Sequence, residues 1–284
     1  LNVLITGETG VGKEVVAQNL YVNSIRASKK FVKINCAALP ETLLESELFG
    51  YKKGAFTDAG KTRPGKFQMA DKGVLFLDEI GDMPMPLQSK ILHILQSGEF
   101  SPLGSDREHK SDAWVIAATN QDLEKKIKNR TFREDLFYRL NIINIYIPPL
   151  RERKEDIPSL IEYFYRSNKL AYPQSQCTRP DAQILGKLCD YPWPGNIRQL
   201  KNSIKKQMVL NSWEKILEEL PQETCPQTGL DLQKNSQSNN PKPVADNSAK
   251  IISQFVDISS SSDRLFEDLS LKEIKKITSG RVEK

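Results

Sequence analysis

Five short apolar runs constrain this chain more than any other feature. They are "NVLIT" (2–6), "FVKIN" (31–35), "VLFLD" (74–78), "AWVIAAT" (113–119) and "IINIYI" (142–147). Helical stretches such as "KEVVAQNLYVNSI" and "PLQSKILHILQSG" separate them. Apolar strands that alternate with helices build a parallel sheet covered on both faces. An α/β domain of three layers is therefore expected over 1–148. At "PPLRERKEDIP" (148–158) the pattern changes. "DIPSLIEYFYRSNKLA", "RPDAQILGKLCDY" and "NIRQLKNSIKKQMVLN" repeat apolar residues every three or four positions, so a small α-helical domain is expected over 149–220. Residues 221–263 are rich in Ser, Asn, Gln, Asp and Pro without periodicity and read as a flexible linker. An amphipathic helix is expected to begin within 264–284.

Composition excludes several classes. No apolar run approaches the roughly 18–20 residues that a membrane span needs. The opening "LNVLITGETG" lacks a basic region followed by a cleavage site, so no signal peptide is read there, and a cytoplasmic protein is expected. The balance of 41 basic against 36 acidic residues is only a weak argument for nucleic-acid contact. Cysteines stand at 36, 177, 189 and 225 without a C-x-x-C pair, and there are two histidines. Reduced thiols are expected rather than a zinc site.

The chemistry starts at "GETGVGKE" (7–14), between the first apolar run and a helical one. Gly7, Gly10 and Gly12 let backbone N–H groups turn toward phosphate oxygens, and the following helix adds the positive end of its dipole. Lys13 supplies a charge for the β- and γ-phosphates of ATP. The nucleotide-binding set is therefore Gly7, Glu8, Thr9, Gly10, Val11, Gly12, Lys13 and Glu14. Glu14 stands where such loops usually have the Ser or Thr whose hydroxyl touches Mg²⁺, so Thr9 or water is expected to help there. "GVLFLDEI" (73–80) ends a strand in Asp78–Glu79. Asp78 is expected to hold Mg²⁺, directly or through water, and Glu79 to polarise the attacking water.

"GAFTDA" (54–59) is different in kind, because it sets Phe56 and Thr57 in a stretch that otherwise reads as a polar loop. Taken with "GETGVGKE", "NCAALPETLLESELFGYKKGAFTDA", "GVLFLDEIGDMP", "AATN", "FREDLFYRLN" and "YPWPGNIRQL", in that order, it makes the chain resemble a known family over about residues 1–220. That family is the AAA+ domain of bacterial enhancer-binding activators that act on sigma-54 RNA polymerase.

The resemblance implies a P-loop AAA+ fold with a helical lid, and an ATPase that works as a ring, usually a hexamer. It implies that Gly54, Ala55, Phe56, Thr57, Asp58 and Ala59 tip a loop (50–63) that touches sigma-54 and so reaches the polymerase holoenzyme. Asp58 replaces the family's usual Gly and adds a charge to each loop. Asn35 is implied as the polar partner that holds and releases Glu79, and Asn120 as the sensor of the γ-phosphate. Arg133 and Arg139 resemble arginines that reach a neighbouring subunit's ATP, and Arg198 one that reaches back to the nucleotide. Family members usually carry a regulatory domain before the ATPase and a helix-turn-helix after it. Neither is read here, nor is the upstream segment that helps hold adenine, so promoter or enhancer DNA is expected to be met only through a C-terminal domain not present in this sequence. Two other readings stay open from the residues. One is an AAA+ remodeller of a different target. The other is a fragment that binds nucleotide or sigma-54 without turnover.

Overall fold

The computed structural model describes residues 1–56, 61–171 and 178–220. Thr57, Asp58 and Ala59 of the hexapeptide, Cys177 and Cys225, and the expected linker and terminal helix beyond 220 lie outside the described residues. By packing, the described residues divide into one unit of Leu1–Arg153 with Pro192–Gln199 and a second that takes Lys154–Tyr191 and the described residues from Leu200.

The first unit is built on five parallel strands: β1 (Val3–Thr6), β2 (Phe31–Asn35), β3 (Val74–Asp78), β4 (Trp114–Thr119) and β5 (Ile143–Tyr146). Their order across the sheet is β2-β3-β4-β1-β5. All five apolar runs of the sequence become these strands. The reason is visible in the alternation of their side chains. Leu4, Leu75, Leu77, Val115 and Ala117 face one core. Their immediate neighbours Val3, Ile5, Val74, Phe76, Ile116 and Ala118 face the other. A side chain repeat of two therefore spends Val74–Leu77 of β3 and Val115–Thr119 of β4 on buried faces, which favours an unbroken apolar run there.

Helix α1 (Lys13–Val22) closes the second face through Ala17 and Tyr21. On the first face lie α2 (Glu41–Phe49), the single turn α3 (Lys66–Met69), α4 (Met85–Ser97) and, beyond the short α5 (Leu123–Lys128), α6 (Glu134–Leu140). In α4 the residues Leu87, Ile91 and Ile94 form the inward stripe. Burying each such side chain contributes on the order of 1.5–3 kcal/mol. The outer strands differ. β2 alternates buried and exposed residues, and β5 leaves Ile143 and Tyr146 largely exposed.

The second unit is helical where described. α7 (Ile157–Ala171) buries Ile157, Ile161, Phe164 and Tyr165, the i, i+4, i+7, i+8 spacing of one helix face. α8 (Ala182–Asp190) starts at Asp181, whose carboxylate accepts the Ile184 N–H at 2.8 Å. α9 (Asn196–Leu210) passes from the first unit into the second. α10 (Trp213–Glu219) begins at Trp213, whose indole donates to the Thr178 carbonyl at 2.8 Å. The sequence reading places all of 149–220 in one helical domain. Packing instead groups Pro192–Gln199 with the sheet unit, where Asn196 bonds to Glu8, Thr9 and Leu150 and the Arg198 N–H to the Gly10 carbonyl. Among the described residues no helix is long and apolar enough to cross a membrane.

Candidate functional site

The loop between β1 and α1 turns on glycine geometry. Gly10 and Gly12 have φ of 83° and 102°, a left-handed region that side chains disfavour. A Cβ at Gly10 would also lie 2.5 Å from the Gly195 carbonyl oxygen. Gly12 is the N-cap of α1, and no side chain caps it. The first N–H groups of that helix are thus free of side-chain acceptors, as an anion site requires. Lys13 folds back over the loop and donates to the carbonyls of Gly7 (3.0 Å) and Glu8 (3.3 Å). Its Nζ lies 3.7 Å from Glu79 Oε1, and its side chain is 7% exposed. Burial lowers the Lys13 pKa, with the Arg198 guanidinium acting the same way and Glu79 and Asp78 opposing.

Asp78 and Glu79 stand at the carboxyl end of β3, beside the loop. Burial and then the charge of Glu79 push the Asp78 carboxyl up, while Lys13 pulls it down. Glu79 sits at φ 51°, a left-handed conformation that is uncommon for a residue with a side chain. That turn aims its carboxylate across the site, where it accepts the Asn120 N–H at 3.2 Å. Asn120, at the end of β4, donates from its amide to Thr9 Oγ1 at 2.7 Å. Lys13, Asp78, Glu79, Asn120 and Thr9 therefore converge at the carboxyl ends of three neighbouring strands, where open α/β sheets bind ligands.

Three expected residues have other partners than anticipated. The Asn35 amide donates to Asp78 Oδ2 at 3.4 Å, and its oxygen accepts the Ala37 N–H at 2.8 Å. Glu79, the partner expected for Asn35, is held instead by Asn120 and Lys13. Glu14 accepts from Lys33 Nζ at 2.8 Å and from Gln18 at 3.2 Å, toward β2 rather than toward the acid pair. The Thr9 hydroxyl is taken by Asn120.

Mg²⁺ fits this donor set. It is usually held by one or two carboxylates plus substrate phosphates and water, so a dense carboxylate cluster is not needed. The upward displacement of Asp78 marks a half-buried carboxylate whose ionised form a cation would favour. Among the described residues no group of three or more His, Cys, Asp or Glu forms a closed metal cage. The Cys36 thiol beside the acids is pushed up to about 12, chiefly by burial, and so stays protonated.

Arg133 and Arg139 lie elsewhere. Arg133 forks onto Asp135 at 3.0 and 2.7 Å and donates to Ser89 Oγ at 3.1 Å. Arg139 donates twice to the Leu95 carbonyl, at 3.0 and 2.7 Å. Neither makes a bond to the phosphate loop. Arg198 approaches it through its backbone, its N–H reaching the Gly10 carbonyl at 3.3 Å.

The hexapeptide loop rises from the antiparallel pair Gly50–Tyr51 and Arg63–Pro64. Gly54 turns at φ 85°, and Ala55 packs on Gly104. Phe56 is 42% exposed and leans on Tyr51, with ring centroids 4.9 Å apart.

Sequence reading passed over Arg151, Arg153 and Asn196, which also touch the phosphate loop. Arg151 forks onto Glu8 at 2.9 and 2.6 Å. Asn196 donates to Glu8 Oε2 and to the Thr9 carbonyl, both at 3.1 Å. Arg153 donates to the Val11 carbonyl at 2.9 Å. The Arg151 fork, then Asn196, holds the Glu8 carboxyl below its ordinary range. Two arginines in "PLRER" were the available signal, but nothing in linear order says where they fold.

A parallel sheet of this order, with a glycine loop after its first strand and an acid pair ending the strand two places away, across β4, defines a P-loop fold of the AAA+ class. The family model described as "Sigma-54 interaction domain" matches residues 1–146, and one described as "AAA+ ATPase lid domain" matches 151–237. The chain belongs to the sigma-54 interaction domain family. It is 50% identical over 221 residues to the regulatory protein AtoC of Escherichia coli K12, covering 78% of this chain and 48% of that protein. It is 49% identical over 209 residues to a Nif-specific regulatory protein of Klebsiella pneumoniae, covering 74% and 40%. Among solved structures, NtrX from Brucella abortus in complex with ADP superposes with a TM-score of 0.68 at 37% identity, covering 74% of this chain and 46% of that one. The chain spans about half or less of the length of these relatives.

Proposed function

We propose that this chain hydrolyses ATP with Mg²⁺ at the boundary between subunits of a ring, a hexamer as in the resembling family, and uses the cycle to remodel sigma-54 polymerase so that a promoter can open. One observation carries the reading. Lys13, Asp78, Glu79 and Asn120 meet at one sheet edge, with Glu79 placed between Lys13 and the Asn120 N–H. That an NtrX structure holds ADP on the same fold supports it.

In this reading Lys13 and the N–H groups of the loop bind the β- and γ-phosphates. Asp78 holds Mg²⁺, which when bound offsets phosphate charge. Glu79 orients and polarises the attacking water, and Asn120 contacts the γ-phosphate. Asn35 acts on the acid pair through Asp78, the partner it has here. Arg133 and Arg139 leave their own-chain partners to meet a neighbour's ATP, which is why catalysis needs assembly. Arg198 completes the phosphate contacts. The loop of residues 54–59 then presents Phe56 to sigma-54 as an aromatic anchor. The setting is the bacterial cytoplasm.

ATPase activity measured against protein concentration tests this. Turnover should rise cooperatively and fall at least about 10²-fold in Glu79→Gln and Arg133→Ala. No turnover at any concentration would favour a nucleotide-binding fragment. Turnover without capture of sigma-54 by protein loaded with a transition-state analogue of ATP would favour another target.

A further inference from the structure

Six consecutive carbonyls of the phosphate loop each meet a donor. Lys13 Nζ takes those of Gly7 and Glu8, and the Val16 N–H takes that of Gly12. The middle three are held from far along the chain: Thr9 by the Asn196 amide, Gly10 by the Arg198 N–H and Val11 by Arg153. In a trans peptide the carbonyl and the next N–H point in opposite directions. Each of these donors therefore turns the N–H group across its own peptide, those of Gly10, Val11 and Gly12, away from itself. Those are the groups that must face an anion.

Asn196 is fully buried and sits at φ 51°, where Asn is tolerated better than most residues. Its oxygen accepts the Leu150 N–H at 2.7 Å, and its nitrogen serves both the Glu8 carboxylate and the Thr9 carbonyl. Arg151, one residue past Leu150, closes the ring from the other side with its two-pronged bond to Glu8. Glu8, Arg151 and Asn196 thus form a clasp: Arg151 and Asn196 both hold the Glu8 carboxylate, and the Leu150 N–H ties Asn196 back to the residue before Arg151.

We propose that Asn196 and Arg151 are positioning residues for phosphate: through Glu8 and the Thr9 carbonyl they set the loop in its anion-accepting form. The inference rests on the nucleotide reading above. It adds that the loop's shape is imposed by residues 142 or more positions away rather than by its glycines alone.

Calorimetric titration of the full chain with ADP tests it. Circular dichroism melts without nucleotide establish that each variant folds. Arg151→Ala and Glu8→Gln, both at partly exposed positions, should each weaken ADP binding by about ten-fold. Arg151→Lys should recover only part of the loss, because an ammonium cannot make the fork. Asn196→Asp keeps the acceptor for Leu150 but sets a second carboxylate against Glu8, and should weaken binding further. Adding Glu8→Gln to it exchanges donor and acceptor and should restore part of the affinity, which a merely structural role would not do. In turnover, KM for ATP should rise by a larger factor than kcat falls. Folded variants within about two-fold of wild type, with Lys13→Ala abolishing binding, would remove the clasp and leave the nucleotide site standing. A wild-type chain that binds no ADP would remove both.

Discussion

Asp78 works against the fold that holds it. Its burial and the charge of Glu79 raise its pKa above the ordinary 3.8, so the folded chain binds this proton more readily than the unfolded one. Stability should therefore increase as pH falls through the raised value, the reverse of a salt-bridged carboxylate. Asp78→Asn removes the charge and keeps the shape. It should raise the unfolding midpoint of the nucleotide-free protein by an amount worth about 0.5–2 kcal/mol and erase that pH response. If the proposed function holds, Mg²⁺ with ADP should stabilise the wild type, and Asp78→Asn should lose that gain. Thermal melts at several pH values, with and without the ligand pair, check all three. The acids, Lys13 and Asn120 were legible in the sequence because each ends a strand or follows a glycine loop. The partner of Asn35 was not, because Asp78 and Glu79 are adjacent and only backbone geometry decides between them. At φ 51°, Glu79 turns away from β2 and leaves Asp78 facing Asn35.

Among the elements, the base of the hexapeptide loop is a tight joint. Gly65 packs directly against the backbone of Leu48, Phe49 and Gly50, leaving no room for a Cβ. Gly65→Ala should destabilise the chain by about 3 kcal/mol, read as a drop in the urea midpoint at constant slope. The five main strands were legible because β3 and β4 bury both faces and so leave a continuous apolar signature. The pair Gly50–Tyr51 and Arg63–Pro64 left no such trace: two residues cannot show a period, and Arg63 and Pro64 are exposed. Phe56 shows the same limit from the other side. Its placement in a polar loop was plain from the sequence, but its contact with the Tyr51 ring depends on a turn closed by Ala55 N–H to the Lys52 carbonyl at 3.1 Å.

At the scale of the molecule, the chain crosses between its two units at three peptide bonds, after Arg153, Tyr191 and Gln199. The sequence reading keeps Pro192–Gln199 in the helical domain while packing groups them with the first unit, since a buried Asn inside a helical pattern reads as polar surface. A second buried amide spans the first unit. Gln88, fully buried on α4, donates to the carbonyls of Met83 (2.8 Å) and Thr131 (3.1 Å) and accepts the Arg133 N–H at 2.8 Å. Gln88→Leu would strand three backbone groups. It should cost about 2 kcal/mol in chemical denaturation and reduce the proposed concentration-dependent ATPase activity more than the proposed ADP affinity.

Gln88 also has a mechanical meaning. A strut carries thrust only if its joints do not yield, and here one side-chain amide rivets the backbone of Arg133 to Met83, a short step past the strand-end acids. In the proposed ring, a shift begun at one subunit's acid pair would reach the arginine it lends to its neighbour as rigid travel, with little slack lost in the intervening turns.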